Sequence, residues 1–368
     1  MRISVSEVSI GAAERNLLEE VLSSGHLVQG RLVEKLEAEF ARLAGARHVV
    51  ATSSGTTALQ LALEIAGVGP GDEVVTSPFT FVATLNAVLT RGAVARLVDI
   101  DPATFNLRPD LVEAAVSHRT RVLLPVHLYG LPADMDSIGR IAREHRLRIV
   151  EDAAQAHFAS QGGYPVGTMD LGCFSLYATK NLAAGEGGLI TVRTEADAQR
   201  LRILRNQGMG ARYEYIAVGY NYRLTDLAAA VALGGLGRMA EIMAIRKRNA
   251  AFLTQALQDL PGIITPQAQP GYEHVWHQYT LRVTKDSPLN RDQLASALNS
   301  RGIGSGIYYP KVLVDYPVFS QHPNIQYGDL EVARMVAGEV ISIPVHQGLD
   351  VSDLEQISGA VRACLSGA

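Results

Sequence analysis

Lys180 lies in SLYATKN (175–181), directly after an apolar run and just before Gly185-Glu186-Gly187-Gly188. A lysine amine forms an imine with an aldehyde cofactor only when it loses its proton easily, so its surroundings must favour the neutral form. The alternative is a solvated lysine in a surface loop. Asp152 closes the apolar run RIVED and precedes Ala-Ala-Gln-Ala-His. An acid at the carboxyl end of a parallel strand stands where open α/β sheets hold ligands; it can also simply cap a helix. Together the two residues match the needs of pyridoxal phosphate (PLP), an aldehyde whose protonated pyridine nitrogen requires a counter-charge. SSGTTALQLAL (53–63) gathers the amides and hydroxyls of Gly55, Thr56 and Thr57 at a helix start. That arrangement suits a phosphate and equally suits an ordinary cap. Ser175 adds a hydroxyl near Lys180. Phe81, in SPFTFVATLN, can stack on a flat ring or pack in a core. Asn221 and Arg223, in GYNYRLTD, can cap a helix, pair with acids or reach a phosphate.

These residues need a scaffold that brings strand ends together. TALQLALEIA (57–66) carries apolar residues at helical spacing and ends at Gly67, with Gly69-Pro70-Gly71 as a breaker. EVVTSP (73–78) predicts a buried strand, and a helix follows from about Val82 to Arg91. Further strands are expected at 95–100, 121–129, 148–152, 173–177 and 188–192, with helical stretches such as 132–147 between several of them. Apolar strands separated by helices give an α/β fold with a mostly parallel sheet covered on both faces. The two close runs within 173–192 predict one departure from strict alternation. After about residue 222 a long helical stretch (224–257) leads to apolar runs at 277–284, 305–310 and 341–346 and a helix at 291–302. That pattern reads as a small α+β domain with helices on one face of a small sheet. The expected division is 1–240 and 241–368.

Composition excludes several classes. The 368 residues are 47% hydrophobic and 19% charged with a net charge of -4, a balance that builds cores and offers no basic footprint for nucleic acid. No apolar run reaches the length that spans a bilayer, and the opening MRISVSEVSIG lacks the apolar centre of a signal peptide. Cys173 and Cys364, the two cysteines, fit neither a disulfide framework nor a metal site, which points to the cytoplasm.

Taken in order, Gly-Thr-Thr, the aromatic, the strand-end Asp, Ser…Lys and Gly-Tyr-Asn-Tyr-Arg resemble the DegT/DnrJ/EryC1/StrS aminotransferases, over nearly the whole chain. EDAAQAH and FSLYATKNLAAGEGG carry the resemblance most closely, with GHLVQGRLVEKLEAEFA, HVWHQYTLRV and IPVHQGL as further segments. The resemblance implies aminotransferase fold type I, with a large domain around a seven-stranded, mostly parallel sheet and a small C-terminal α+β domain. It implies Lys180 as the imine-forming lysine, Asp152 as partner of the pyridinium, Gln155 near the phenolic oxygen and Phe81 against the ring. Gly55, Thr56, Thr57 and Ser175 would hold the phosphate, joined by Asn221 from the neighbouring subunit of a homodimer. Gln29, Arg223, Tyr309 and His346 fall in segments that border the substrate. The implied reaction moves an amino group from glutamate to a nucleotide-linked keto-sugar. Other readings are amination of a cyclic ketone such as an inosose, or a regulatory protein that binds PLP or a sugar nucleotide without turnover. Lys180 speaks against the family's dehydratase branch, which has histidine there. Phe158 replaces a commonly small glycine and is expected to narrow the space near the cofactor.

Overall fold

The computed structural model describes residues 3–367; residues 1–2 and 368, at the outer ends of the two expected ranges, lie outside the described residues. The strands that matter are β1 (His48–Thr52), β2 (Glu73–Thr76), β3 (Val94–Leu97), β4 (Thr120–Leu124), β5 (Arg148–Asp152), β6 (Leu171–Ser175), β7 (Gly188–Val192), β8 (Ile263–Ile264), β9 (Tyr279–Val283), β10 (Ile325–Tyr327) and β11 (Val340–Ile343). The large sheet runs β1-β7-β6-β5-β4-β2-β3-β10. Every strand in it is parallel except β7, which opposes both β1 and β6. This is the expected α/β architecture, and β7 is the departure from alternation anticipated within 173–192. Because β6 returns directly as β7, the loop 176–187 that carries Lys180 hangs at the carboxyl end of β6. Asp152 pairs in register with Cys173 on the adjacent strand, so the two chemical groups share one sheet edge.

Among the described residues the sheet has eight strands where seven were expected. The eighth, β10, is a three-residue segment that returns from the C-terminal third to pair with β3, Ile325 opposite Ala95. Only Ile325 in it is buried, so it leaves no readable pattern. β4 stops at Leu124 although the apolar run continues to Tyr129. Pro125 has no N–H to extend a ladder, and the chain turns through a short 3-10 segment, Leu128–Gly130. Residues 305–310 form no strand; Gly306 alone bridges Ser342. The helical stretch 224–257 is two helices, Asp226–Leu236 and Met239–Leu257, bent by 60°. Gly234 in the first is required by contact: a Cβ there would lie 2.7 Å from the Glu14 backbone nitrogen.

The C-terminal sheet runs β8-β9-β11 and is antiparallel throughout. Its core of Tyr279, Leu281, Ile341 and Ile343 packs against Leu253 and Leu257 of Met239–Leu257, Leu294 and Leu298 of Arg291–Ser300, and Ile357 and Val361 of Val351–Ser366. Among the described residues no single helix is long and apolar enough to cross a membrane.

A buried ion pair ties the helix Arg31–Ala44 to this frame. Arg205 Nη1 lies 2.6 Å from Glu37 Oε1, and Glu37 also accepts from the Ala51 amide of β1 at 2.9 Å. Removing one partner of a buried pair leaves an uncompensated charge. Arg205→Ala should therefore destabilise the fold by about 3 kcal/mol, since Arg202, 3.9 Å from Glu37, compensates only in part. Chemical denaturation measures the loss, and adding Glu37→Gln should recover part of it by removing the stranded charge.

Candidate active site

A cleft of about 500 Å³ opens at the carboxyl ends of β5 and β6. The large sheet supplies one wall, and Arg246, His277, Gln278 and Ser342 close it from the C-terminal side. Of the residues singled out from sequence, Gly55, Thr56, Phe81, Asp152, Gln155, Ser175, Lys180 and Tyr309 line this cleft.

Strand alternation explains the division of labour at the end of β5. Glu151 turns into the protein, where it pairs with His127 at 3.0 Å and accepts from the Gly167 and Met169 amides. Asp152 turns the other way, into the cleft. Thr84 Oγ1 donates to Asp152 Oδ2 at 2.7 Å, and the Ala154 amide donates to Oδ1 at 3.2 Å. Burial raises the carboxyl above its ordinary pKa, opposed first by the Thr84 bond and then by the Ala154 bond and the Lys180 charge. Among the described residues no cation forms an ion pair with Asp152. Lys180 likewise forms none, and burial lowers its ammonium to about 8 against the pull of Asp152.

At the other end of the cleft, the helix Gly55–Ile65 begins with Ser54 as its cap, accepting from the Thr57 amide at 3.1 Å. Gly55 is needed here by close approach, since a Cβ would meet Ser175 Cβ at 2.8 Å. The free amides of Gly55 and Thr56 and the Ser175 hydroxyl thus converge on the cleft. Phe81, 57% exposed, offers an apolar ring to it, with the Tyr309 ring 6.1 Å away. Gln155 Oε1 accepts from the Tyr129 amide at 2.6 Å, which turns its Nε2 toward the Tyr309 hydroxyl at 3.4 Å. Burial raises Tyr309 above the ordinary phenol range, keeping it a proton donor.

The other expected residues stand elsewhere. Thr57 is absent from the lining because its hydroxyl donates to the Ser54 carbonyl at 2.9 Å, a capping role. His346 is buried and bonds the Ser4 carbonyl at 3.1 Å, holding the N-terminal strap whose Val5 and Ser6 line the cleft. Asn221 is exposed and bridges Asn206, while Arg223 Nη1 donates to Asn206 Oδ1 at 2.9 Å. Gln29 also lies outside the lining, with its Oε1 buried and without a hydrogen-bond partner. Phe158 does not narrow the cleft. Its backbone is left-handed (φ 64°), and its ring packs on Phe40 at 5.1 Å in the core behind the site.

Sequence reasoning passed over Thr84, Arg246 and His277. Thr84 stands one helical turn beyond Thr80 in a segment that reads as plain apolar helix, and Arg246 in AIRKRN reads as a solvated basic face. His277 Nδ1 lies 3.3 Å from Asn181 Oδ1, and Asn181 Nδ2 donates to the Val275 carbonyl at 2.9 Å. Asn181 directly follows Lys180, a link that only the folded loop reveals.

The residues present fit PLP. A buried carboxylate without a cation suits the ring nitrogen, an unpaired amine suits the aldehyde, and a helix N-terminus with Ser175 suits the phosphate. Comparison with known proteins agrees. A profile described as the DegT/DnrJ/EryC1/StrS aminotransferase family matches residues 8–362. The chain is 40% identical to a pleiotropic regulatory protein of Geobacillus stearothermophilus, over 89% of this chain and 88% of that one. It is 38% identical to the UDP-N-acetyl-3-dehydro-alpha-D-glucosamine 3-aminotransferase of Acidithiobacillus ferrooxidans, over 95% and 92%. The crystal structure of S. venezuelae DesV superposes with a TM-score of 0.91 at 39% identity, covering 95% of this chain and 94% of that one.

Proposed function

Because the chain belongs to the DegT/DnrJ/EryC1/StrS aminotransferase family of PLP-dependent enzymes, we propose that it moves an amino group from glutamate to a nucleotide-linked keto-sugar. The observation that carries this reading is the pairing of Lys180 with Asp152 at one sheet edge, the amine lowered to about 8 and neither group ion-paired. The name of the 38% identical relative, a UDP-linked dehydro-sugar 3-aminotransferase, supports the substrate class. The name of the 40% identical relative favours a regulatory reading, but that reading leaves the lowered amine of Lys180 without a task.

PLP, when bound, supplies an electron sink for the pair released as a carbon–hydrogen bond breaks. The chain's own residues do the rest. Lys180 Nζ, once free of its covalent role, takes the proton from the donor α-carbon and returns one to the sugar carbon in the second half-reaction. Asp152, oriented by Thr84, keeps the proton on the ring nitrogen. Gly55, Thr56 and Ser175 would hold the phosphate, Phe81 would cover the ring, and Gln155 and Tyr309 would present donors to the phenolic oxygen. Amino-sugar nucleotides differing in base and in aminated carbon, offered singly to the PLP form, test the substrate class. Conversion of the cofactor's absorbance by at least one of them supports it, and inertness to all while inosamines react moves the reading to cyclic ketones.

The working unit in this proposal is a homodimer with shared sites. The hairpin Met209–Ala211/Glu214–Tyr215 and the segment after it expose Tyr213, Tyr215, Ile216 and Val218, at 61–88%. Asn221 follows and does not line its own chain's cleft, so a second copy would cover the apolar side chains and receive Asn221 at its phosphate. Two-fold symmetry makes the exchange reciprocal. Lys180→Ala and Asn221→Asp chains, each inactive or weak alone, should on subunit exchange regain about one quarter of wild-type activity, because half the dimers carry one intact site of two. Absence of recovery, with exchange verified by mass, assigns Asn221 to its own chain.

A further inference from the structure

A guanidinium without a carboxylate sits in the wall of the cleft. Arg246, from the helix Met239–Leu257, is 3% exposed and lines the cleft beside His277. Its Nη1 donates to the carbonyls of Trp276 at 3.0 Å and His277 at 3.3 Å. Nε is buried with no hydrogen-bond partner, and among the described residues no acid pairs with the group. The other deeply buried arginines differ: Arg205 has Glu37 and Arg291 has Asp292. Burial without a counter-ion is costly for any cation and lowers this one to about 10.

Position narrows the missing anion. His277 is held neutral first by its own burial and then by the charges of Lys180 and Arg246, and all three residues line the same cleft. The cofactor's phosphate has its own cradle at Gly55 and Ser175. A nucleotide's diphosphate is separated from the reacting carbonyl by the sugar ring, and an anion of that bulk does not suit a group so little exposed. The donor's α-carboxylate is one bond from the carbon whose proton Lys180 must take, so its receptor has to stand close to Lys180. We infer that Arg246 is the receptor for the α-carboxylate of the amino donor, its fork closing on both oxygens. The inference rests on the glutamate-dependent reading above and adds the residue that recognises the donor.

Two measurements test it on Arg246→Gln and Arg246→Lys. Calorimetric titration of the apoprotein with glutarate reads carboxylate recognition without catalysis. Wild type should bind, Arg246→Gln should bind about 10- to 100-fold more weakly, and Arg246→Lys should fall between. Single-turnover absorbance on the PLP-loaded enzyme compares loading by L-glutamate with loading by a nucleotide-linked amino-sugar. Arg246→Gln should slow the glutamate half-reaction at least tenfold more than the sugar half-reaction. The preference of wild type for L-glutamate over its α-amide, isoglutamine, should shrink in the same variant. Wild-type glutarate affinity in both variants, or a parallel loss in both half-reactions, overturns the assignment and leaves Arg246 as a prop for the carbonyls of 276 and 277. Failure of wild type itself to be loaded by L-glutamate, while the amino-sugar loads it, removes the donor reading and this inference with it.

Discussion

Lys180→Ala is expected to lower transamination by at least about 10⁴-fold while leaving the fold intact. The size follows from two tasks falling on one atom, since in the proposed reaction Nζ both anchors the cofactor and carries the proton between carbons. Alanine removes both, and among the described residues no second amine lines the cleft. The side chain makes no hydrogen bond or ion pair among the described residues, so its removal should cost little stability. Cofactor should still bind through Gly55, Thr56, Ser175 and the ring contacts. Borohydride treatment of the PLP-loaded wild type should fix the cofactor to the peptide containing Lys180, and labelling at another lysine would end the assignment. The lowered amine has its own signature. With a pKa of about 8 in place of 10.5, the rate at which apoprotein captures PLP should rise about tenfold per pH unit below 8 and level off above it. A rise continuing to pH 10 would mean that the amine is not desolvated.

How far the sequence revealed this site depends on how each residue is held. Lys180 and Asp152 were legible because Asp152 ends one apolar run and Lys180 closely follows another, and parallel strands place their carboxyl ends together. The helix start at Gly55 and Thr56 was legible, but composition cannot tell a ligand from a cap, and the Thr57 hydroxyl donates to the Ser54 carbonyl. Residues that reach the cleft from far along the chain were not legible. Arg246 and His277 depend on how the antiparallel sheet β8-β9-β11 docks, and no spacing in the sequence encodes that distance. β10 escaped notice for a related reason, because three residues at a sheet edge with one buried side chain carry no periodicity. His346 shows the converse: its segment was recognised, but its ring supports the N-terminal strap through the Ser4 carbonyl, and the strap contributes Val5 and Ser6 to the cleft.

Asp152→Asn should lower the rate of donor deprotonation by about 10²- to 10⁴-fold while changing PLP affinity less than tenfold. The surroundings can accept the amide. Thr84 Oγ1 now donates to Asp152 Oδ2, and it lies 2.8 Å from Thr80 Oγ1. It can rotate to accept from the new amide and donate to Thr80, so the side chain keeps its place. What is lost is the negative charge. Burial already raises this carboxyl, which has no ion-paired cation among the described residues, and a protonated ring nitrogen would draw it back to the ionised state, the two charges stabilising one another. Asparagine would withdraw that support, so a bound ring nitrogen would not keep its proton and the electron sink that PLP supplies would be weakened. The deficit should therefore concentrate in the proton-transfer step. Stopped-flow loading with α-deuterated glutamate should show a larger isotope effect in the variant than in wild type, because deprotonation becomes more fully rate-limiting. A variant that loads at the wild-type rate with an unchanged isotope effect would reduce Asp152 to a cap for the turn at Ala154, and the proton-holding role would have to be sought elsewhere in the cleft.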